Sequence, residues 1–425
     1  MTAKKLGPFS GMNSKLNDKM LPTEPRTGSN GLVLPKLRNA VNVAFDFSGM
    51  AHFPAIGKTK VYSGTNCHSL YDQVPLFVDN GTLKYLNPDY TATSLRSNIG
   101  DTPMYYCTVA NLTYFCNQII TGKFDNDTKS VSEWGVDRPT RQPNCVASSI
   151  GGMYAGDYRV AIVWYGSDGI TQSGTGMGRR VTVQEGGGIN CSGFPTPPSY
   201  VTAVGVYVSS INGKDMYWYY DYPPNVDDVH IQRLTPEGVE PTLTLETQFC
   251  YPPKPQGILA DFNGRIYYAV GNQLYYTTTR NYNLRRANER WAFEGQVLEI
   301  NSVPPVLYVH TDRSLNQITG VDNGDQPPQF RPIGYYSCTP GLPVYGKTDT
   351  SAYSFSDVGF LQCNNDGSVN QLSFADNALP SFKQGVLTVL ERYGSRYLVF
   401  VGTDATQNKL ADAQYNTNEL ARNSL

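Results

Sequence analysis

The sequence predicts an all-β fold, a β-propeller of about six blades that is interrupted by an inserted β-sandwich and flanked by extended arms. Composition supports this, because 30 Tyr, 17 Phe, 40 Gly and 28 Pro in 425 residues favour short strands and turns over long helices. Repetition supports it too. Six stretches share one pattern, an apolar strand, a polar turn and a second strand, and they begin at Leu76, Tyr114, Ile266, Leu307, Phe360 and Leu398.

The spacing of these stretches predicts both the blades and the insertion. Four of the five steps, of 38, 41, 53 and 38 residues, lie near the period of a four-stranded blade, roughly 40 to 50 residues. The step from Tyr114 to Ile266 is 152 residues long. Taking residues 139–250 out of it leaves a spacing of about 40, so these residues are predicted to be an inserted domain.

The predicted domain order follows the chain. Residues 1–35 have too few apolar residues for a core and are predicted to form an extended arm. Residues 36–138 form the first part of the propeller, where Val41, Val43 and Phe45 alternate on one face of a strand. Residues 251–402 form the second part, and 403–425 form a polar tail. Tyr and Phe are expected to fill the wedges between adjacent blades.

The insertion has the pattern of a β-sandwich of immunoglobulin or fibronectin type. Long alternating strands are predicted at 158–165, 203–208 and 216–220, and the last two are joined through Asn212-Gly213, a strong hairpin signal. Strands of this length in about 100 residues are typical of such sandwiches.

Charge and cysteine content argue against several functions. The formal net charge is −2 and only 16% of residues are charged, so no basic field is expected to gather nucleic acid. The eight Cys and four His are scattered without a C-x-x-C pair, which gives little support to a metal site, and no cofactor is expected. Reduced thiols acting as small core residues in a cytoplasm are the simplest interpretation. No signal peptide or membrane span is expected.

Catalytic motifs are scarce, and the chain is predicted not to be an enzyme. There is no nucleophile elbow and no phosphate loop. The glycine-rich stretch 172–178 loosely resembles a dinucleotide fingerprint, but no βαβ pattern surrounds it, and a flexible hairpin loop is the favoured interpretation. Asp125 and Asp127 could offer oxygens to calcium without the rest of a calcium loop. Other carboxylates stand in no recognisable frame: Glu133, Asp157 and Glu246.

The densest aromatic cluster is the candidate interaction surface. Its members are Trp218, Tyr219, Tyr220 and Tyr222. Such rings bury much area at little entropic cost, which suits a contact with carbohydrate or protein. The alternative, an alternating sandwich strand with one buried face, is the favoured of the two.

Several short runs resemble bacteriophage virion proteins with β-propeller folds, of the kind that form the tail tube or nozzle of short-tailed phages. The runs that carry the resemblance lie at 37–43, 45–46, 48–49, 53–56, 67–71, 158–161, 167–169, 201–208 and 264–272. Together they span residues 35 to 402. The resemblance implies a virion structural role.

These observations lead to a functional hypothesis with two alternatives. The leading one is a tail component, most simply a nozzle or tail-tube subunit in a homo-oligomeric ring of about six copies, through which DNA passes without sequence-specific binding. Its expected partners are other tail or head-to-tail connector proteins, and its expected location is the virion, after synthesis and assembly in the host cytoplasm. One alternative is a tail protein that binds a host-surface glycan. The less favoured one is a propeller glycosidase, for which the fold offers only analogy.

Overall fold

The computed structural model describes most of the chain between residues 62 and 372, together with the strands near both termini. In full, the described ranges are 26–27, 33–34, 44–45, 51–52, 62–71, 73–233, 243–320, 328–339, 341–342, 344–345, 350–372, 382–392, 395–404 and 410–416. All the regular elements in these ranges are β-strands, and none forms a helix that could cross a membrane. The chain packs as two compact units, one made of residues 62–292 and the other of residues 1–61 with 293–425.

Two short antiparallel pairs are described near the N-terminus. They are β1 (Arg26–Thr27) with β2 (Val33–Leu34), and β3 (Ala44–Phe45) with β4 (Ala51–His52). The rest of the predicted N-terminal arm lies outside the described residues.

The first compact unit begins with two four-stranded antiparallel sheets, each an up-and-down meander. The first sheet consists of β5 (Cys67–His68), β6 (Leu76–Asp79), β7 (Thr82–Leu86) and β8 (Ala92–Arg96). The second consists of β9 (Tyr105–Val109), β10 (Leu112–Cys116), β11 (Thr121–Asp125) and β12 (Val131–Ser132). In the β6–β7 turn, Asn80 and Gly81 both have positive φ, as the tight turns of hairpins require.

A unit of two facing sheets follows. Its strands are β13 (Asn144–Met153), β14 (Gly156–Tyr165), β15 (Arg179–Val183), β16 (Gly187–Ser192), β17 (Ala203–Ser209), β18 (Met216–Tyr222) and β19 (Asp228–Ile231). One sheet has the order β13-β16-β19 and the other β15-β14-β17-β18. One apolar core lies between them, with Ile162, Trp164 and Val206 from one sheet and Ile189 and Ile231 from the other. Burying one face of each sheet in this way makes a β-sandwich.

The compact unit of 62–292 ends with a third four-stranded sheet and a small pair. In chain order the strands are β20 (Cys250–Tyr251), β21 (Leu259–Phe262), β22 (Arg265–Val270), β23 (Gln273–Tyr276), β24 (Arg285–Arg286) and β25 (Arg290–Ala292). The sheet has the order β21-β22-β23-β25, and β20 pairs with β24.

The other compact unit contains three further four-stranded sheets. The first of them consists of β26 (Val297–Val303), β27 (Val306–Thr311), β28 (Leu315–Thr319) and β29 (Gln329–Gly334). The other strands are β30 (Gly341–Leu342), β31 (Val344–Tyr345), β32 (Ser351–Ser356), β33 (Gly359–Asn364), β34 (Val369–Gln371), β35 (Phe382–Arg392), β36 (Ser395–Asp404) and β37 (Leu410–Asn416). They form the sheets β31-β32-β33-β34 and β30-β35-β36-β37. β37 lies within the predicted C-terminal tail.

Adjacent sheets bury their apolar faces against each other, as propeller blades do. Leu76 and Val78 of the first sheet share a core with Phe115 and Phe124 of the second. Tyr114 of the second sheet packs with Ile266 and Tyr268 of the third, and Tyr308 of the fourth packs with Leu361 of the fifth. The predicted fold class is therefore confirmed: an all-β chain of about six four-stranded blades, interrupted by a two-sheet unit between the second and third.

Candidate functional site

The predicted aromatic surface lies on β18, at the edge of the four-stranded sheet of the sandwich. Segment 243–245 covers that edge, since Trp218 N donates to Leu243 O at 3.0 Å and Leu245 N donates to Met216 O at 2.8 Å. Tyr219 is an extra residue in the ladder, because Val206 lies opposite Tyr220 while Tyr207 lies opposite Trp218. A bulge of this kind changes the face on which the following side chains lie.

This bulge distributes the four aromatic residues over different environments. Tyr219 and Tyr222 pack against the core between the two sheets, and burial raises the pKa of Tyr222 to about 12. Trp218 lies on the outer face with Tyr207 and donates from Nε1 to Asp221 Oδ1 at 2.9 Å. Tyr220 is 56% exposed, and its ring centroid lies 6.5 Å from that of Trp218. The structure therefore leaves Trp218 and Tyr220, rather than all four rings, available for contact.

The outer face beside Trp218 is aromatic and polar. Gln172 Nε2 donates to Tyr207 OH at 2.6 Å, and the hydroxyl groups of Tyr207 and Tyr165 are 3.5 Å apart. Burial raises the pKa of both tyrosines, so both stay neutral donors at ordinary pH. Gly205 leaves room for Tyr165, whose Cε2 would stand 2.8 Å from a Cβ there.

A cleft of about 830 Å³ lies between the sandwich and the β20–β24 pair. The ring of Tyr251 is contacted by two guanidinium groups, with Arg138 Cζ 4.4 Å and Arg285 Cζ 5.6 Å from its centroid. Lys254 Nζ pairs with Asp137 Oδ1 at 3.0 Å. Trp164 also lines the cleft, and its buried Nε1 has no hydrogen-bond partner among the described residues. The cleft thus carries three cations and one carboxylate, a charge pattern suited to anions.

Sequence reasoning missed this cleft. Arg285 packs between Tyr251 and Tyr275, and the ring centroid of Tyr275 lies 4.9 Å from Arg285 Cζ. No local motif links Arg138 to Arg285, because the antiparallel pairing of β20 with β24 and the turn after β12 bring them together.

The fourth and fifth sheets enclose a polar cluster around Glu299. Glu299 accepts hydrogen bonds from Cys338 Sγ at 3.1 Å and from Asn301 Nδ2 at 2.9 Å. Burial raises the pKa of Glu299 to about 7 and lowers that of His310 to about 3. Asn301 Nδ2 lies 3.3 Å from His310 Nε2, and Cys363 Sγ lies 3.9 Å from the same nitrogen. The side chains of this cluster are all buried among the described residues.

The carboxylates named in the sequence analysis each have different surroundings in the structure. Ser167 Oγ donates to Glu133 Oε2 at 2.7 Å, Asp157 pairs with Arg180 and Thr182, and Glu246 is exposed. Asp125 accepts from the backbone N–H groups of its own turn, Asp127 at 2.8 Å and Thr128 at 3.1 Å. Among the described residues, no group of three or more His, Cys, Asp or Glu side chains is placed to hold a metal ion.

The glycine-rich stretch 172–178 lies in the connection between the antiparallel strands β14 and β15, as a hairpin loop does, and several of its residues are buried. Ser173 and Thr175 are fully buried, and Thr175 pairs with Gln248 in a parallel bridge. A Cβ on Gly174 would stand 1.9 Å from Cys250 O. Glycine is needed here because the two backbones cross in contact.

No known family model matches the chain, and no curated protein matches its sequence. Among solved structures, the β-propeller domain of Cps50 (Swd1) from Myceliophteria thermophila is similar with a TM-score of 0.34 and 9% identity, covering 83% of this chain and 96% of that one. Hsv2 from Kluyvelomyces marxianus has a TM-score of 0.27 and 10% identity, covering 80% and 92%. TM-scores this far below 0.5 carry no argument about function, and the description of the fold rests on the strand order above.

Proposed function

We propose that the chain is a non-enzymatic structural subunit of a bacteriophage tail, a nozzle or tail-tube subunit that assembles into a ring around a passage for the genome. The proposal begins from the short runs that resemble phage propeller proteins. A conduit subunit needs a rigid body with surfaces for its neighbours, and it needs no catalyst. A ring of identical subunits uses heterologous interfaces, so two different surfaces of each subunit are engaged.

The observation that carries the proposal is the way the sandwich is fixed to the second sheet and to the segment that leads into β20. Lys123 Nζ of β11 binds Asp168 Oδ2 of the sandwich at 2.7 Å, with the lysine side chain only 5% exposed. Phe249 N, in the segment that leads into β20, donates to Thr175 O of the sandwich at 2.8 Å. An insertion held only by the two chain segments that enter and leave it would move relative to the rest of the protein, as domains on linkers do. These contacts hold it in place, which suits a component that must keep its shape while DNA passes.

Charge supports the same function. The 34 Lys and Arg residues are balanced by 36 Asp and Glu residues, so the net charge of −2 gives the chain no overall excess of cations to retain a polyanion. Phosphate contacts would slow DNA in a passage. The cationic groups around Tyr251 are the exception, and they lie in one cleft.

The test is the assembly state of the full-length chain. Native mass spectrometry and electron microscopy of the purified protein, over a range of concentrations, should show closed rings of about six copies with an axial channel. Quantitative mass spectrometry of the particle that contains it should give a copy number that is a multiple of the ring. A chain that stays monomeric at every concentration and is absent from virions would sink the proposal.

A second candidate, a host-glycan-binding tail protein, is favoured by one observation. Trp218 and Tyr220 are stacked within 24° of parallel at the sandwich edge, with the Asp221 carboxylate beside them. Rings flanked by hydrogen-bonding groups are a common surface for sugars. Glycan-array binding by the full chain that disappears in Trp218→Ala but persists in Tyr90→Ala, another exposed aromatic change, would favour this function over the passive conduit.

A further inference from the structure

Two buried cysteines of the sandwich lie side by side on neighbouring strands. Cys145 of β13 is directly opposite Cys191 of β16 in the antiparallel ladder, and their Sγ atoms are 2.7 Å apart. Non-bonded heavy atoms normally stay about 3.5 to 4 Å apart. Two unbonded thiols therefore repel each other at this distance, whereas a disulfide bond would bring the two sulfur atoms closer still.

The backbone already has the geometry that such a bond requires. Directly opposite residues in an antiparallel pair have Cα atoms about 4.5 to 5.5 Å apart, within the range of about 4.4 to 6.8 Å found in disulfides. Closing the bond needs a shift of the two sulfurs and no rearrangement of the strands. Both side chains belong to the sandwich core, Cys145 being 6% and Cys191 1% exposed.

Another pair of cysteines shows that lying on neighbouring strands does not by itself place two cysteines opposite each other. Cys107 and Cys116 also lie on neighbouring strands, but Cys107 is opposite Tyr114 and Cys116 is opposite Tyr105. Cys116 Sγ instead donates to Gly257 O at 3.1 Å. Of the eight cysteines, all of which lie in described segments, Cys145 and Cys191 are the pair that the ladder register places opposite each other.

We propose that Cys145 and Cys191 form an intramolecular disulfide once the protein meets an oxidising medium, and that this oxidation locks β13 to β16. With oxidised glutathione as the oxidant, the Cys145 thiolate attacks one glutathione sulfur and releases the first glutathione thiolate. The Cys191 thiolate then attacks Cys145 Sγ and releases the second. The balance is two protein thiols and one glutathione disulfide giving one protein disulfide and two glutathione molecules.

The position of β13 provides a route for the oxidant. β13 is an edge strand of its sheet, and its pairing with β16 is regular only from Asn144 to Ser148, because the register shifts before Met153. Local opening of this short stretch exposes Cys145 without unfolding the rest of the sandwich. Oxidation is therefore expected to be slow, and to speed up when the edge strand opens more often, for example on mild heating.

The bond would also change stability. Cys145 and Cys191 are 46 positions apart, and linking them restricts the unfolded chain over that whole segment. The oxidised protein should therefore melt roughly 5 to 10 °C higher than the reduced protein in the transition reported by Trp fluorescence.

The experiment incubates the full chain with oxidised glutathione and, in a parallel sample, refolds it from denaturant in the same redox buffer. Differential alkylation and peptide mass spectrometry should show a link between the peptides that contain Cys145 and Cys191, and a loss of two thiols. Cys107→Ser is the matched control, since it removes a buried cysteine of the same compact unit and should keep the link. Cys191→Ser should remove it.

Either of two results would overturn the proposal. One is the retention of both free thiols after refolding in the oxidising buffer, where access is no obstacle. The other is a link from Cys145 or Cys191 to a different cysteine. The disulfide link is mapped on the unmodified chain, so the test of the proposal stays valid even if the Cys191→Ser variant does not fold. The outcome is also independent of whether the protein forms rings.

Discussion

Lys123 Nζ lies 2.7 Å from Asp168 Oδ2, which joins the second four-stranded sheet to a turn of the inserted sandwich. The same ammonium group also donates to Thr171 Oγ1. Breaking a buried pair by removing one partner leaves the other charge poorly solvated. We expect Lys123→Met to destabilise the 62–292 unit by about 2 to 4 kcal/mol. All four tryptophans lie in that unit, so their fluorescence during denaturation measures its free energy of unfolding alone.

The control for this change is an ion pair on the sandwich surface. Arg180 pairs with Asp157, but the arginine side chain is 69% exposed. Exposed pairs contribute little to stability. Arg180→Met should therefore leave the denaturation midpoint nearly unchanged, and an equal effect of the two substitutions would contradict the anchoring function of Lys123.

The same pair predicts an acid-sensitive step. Burial works to raise the pKa of Asp168, but the hydrogen bonds from Lys123 and Thr171 outweigh it and bring the pKa down to about 2. In the unfolded chain an Asp titrates near pKa ~3.9, so the stabilisation is present above about pH 4 and is lost as the pH falls toward 2. Unfolding free energies measured from pH 5 to pH 2 should show this loss in the wild type and a smaller loss in Lys123→Met.

Glu299 should produce the opposite pH dependence in the other compact unit. Its folded pKa of about 7 lies above the ordinary value because the side chain is buried. The folded state therefore keeps the proton where the unfolded state loses it, and stability falls as the pH rises from about 4.5 to about 7. Burial lowers the folded pKa of His310 to about 3. As the pH falls below about 6.5, the unfolded state binds a proton that the folded state does not, so the contribution of His310 makes stability fall as the pH falls.

Glu299→Gln separates the two contributions, because the amide resembles the protonated acid. The variant should be more stable than the wild type at pH 8, by up to about 3 kcal/mol, and about equally stable at pH 5. Calorimetry measures this, since the unit contains no tryptophan. A stability difference between the wild type and Glu299→Gln that does not change between pH 5 and pH 8 would show that Glu299 is not protonated in the fold, because the contribution of His310 is common to both proteins.

The blades could be predicted from sequence because each is a local unit. Strands such as β6 and β7 are joined by Asn80-Gly81, and the alternation of apolar residues fixes which face is buried. The insertion could be located because it lengthened one step of the repeat. The cleft around Tyr251 and the cluster around Glu299 could not be predicted, since each is built from residues far apart in the chain that only sheet packing brings together. The bulge at Tyr219 was also invisible, because one extra residue changes the faces of β18 without changing its composition.

Trp134 and Trp218 should respond very differently to truncation. Trp134 is 2% exposed, donates to Tyr282 O, and its ring centroid lies 5.0 Å from that of Tyr114. Trp134→Ala should destabilise the 62–292 unit by about 3 to 5 kcal/mol, because it leaves a cavity and an unpaired carbonyl. Trp218→Ala, at the partly exposed sandwich edge, should cost about 1 kcal/mol. Denaturation followed by the remaining tryptophans measures both, and equal costs would contradict the buried packing of Trp134 against Tyr114.

Gly174 and Gly176 offer a matched test of the crossing between the sandwich and the segment that enters β20 at Cys250. A Cβ at Gly174 would stand 1.9 Å from the backbone oxygen of Cys250, which cannot move without shifting that segment. At Gly176 the nearest atom would be Gln142 Nε2, at an ordinary contact distance of 3.9 Å. Gly174→Ala should therefore destabilise the 62–292 unit by about 2 to 4 kcal/mol, whereas Gly176→Ala should change its stability by less than about 0.5 kcal/mol. Chemical denaturation followed by Trp fluorescence distinguishes them. If 172–178 were a flexible loop, both substitutions would be equally harmless, because neither methyl group would meet a fixed backbone.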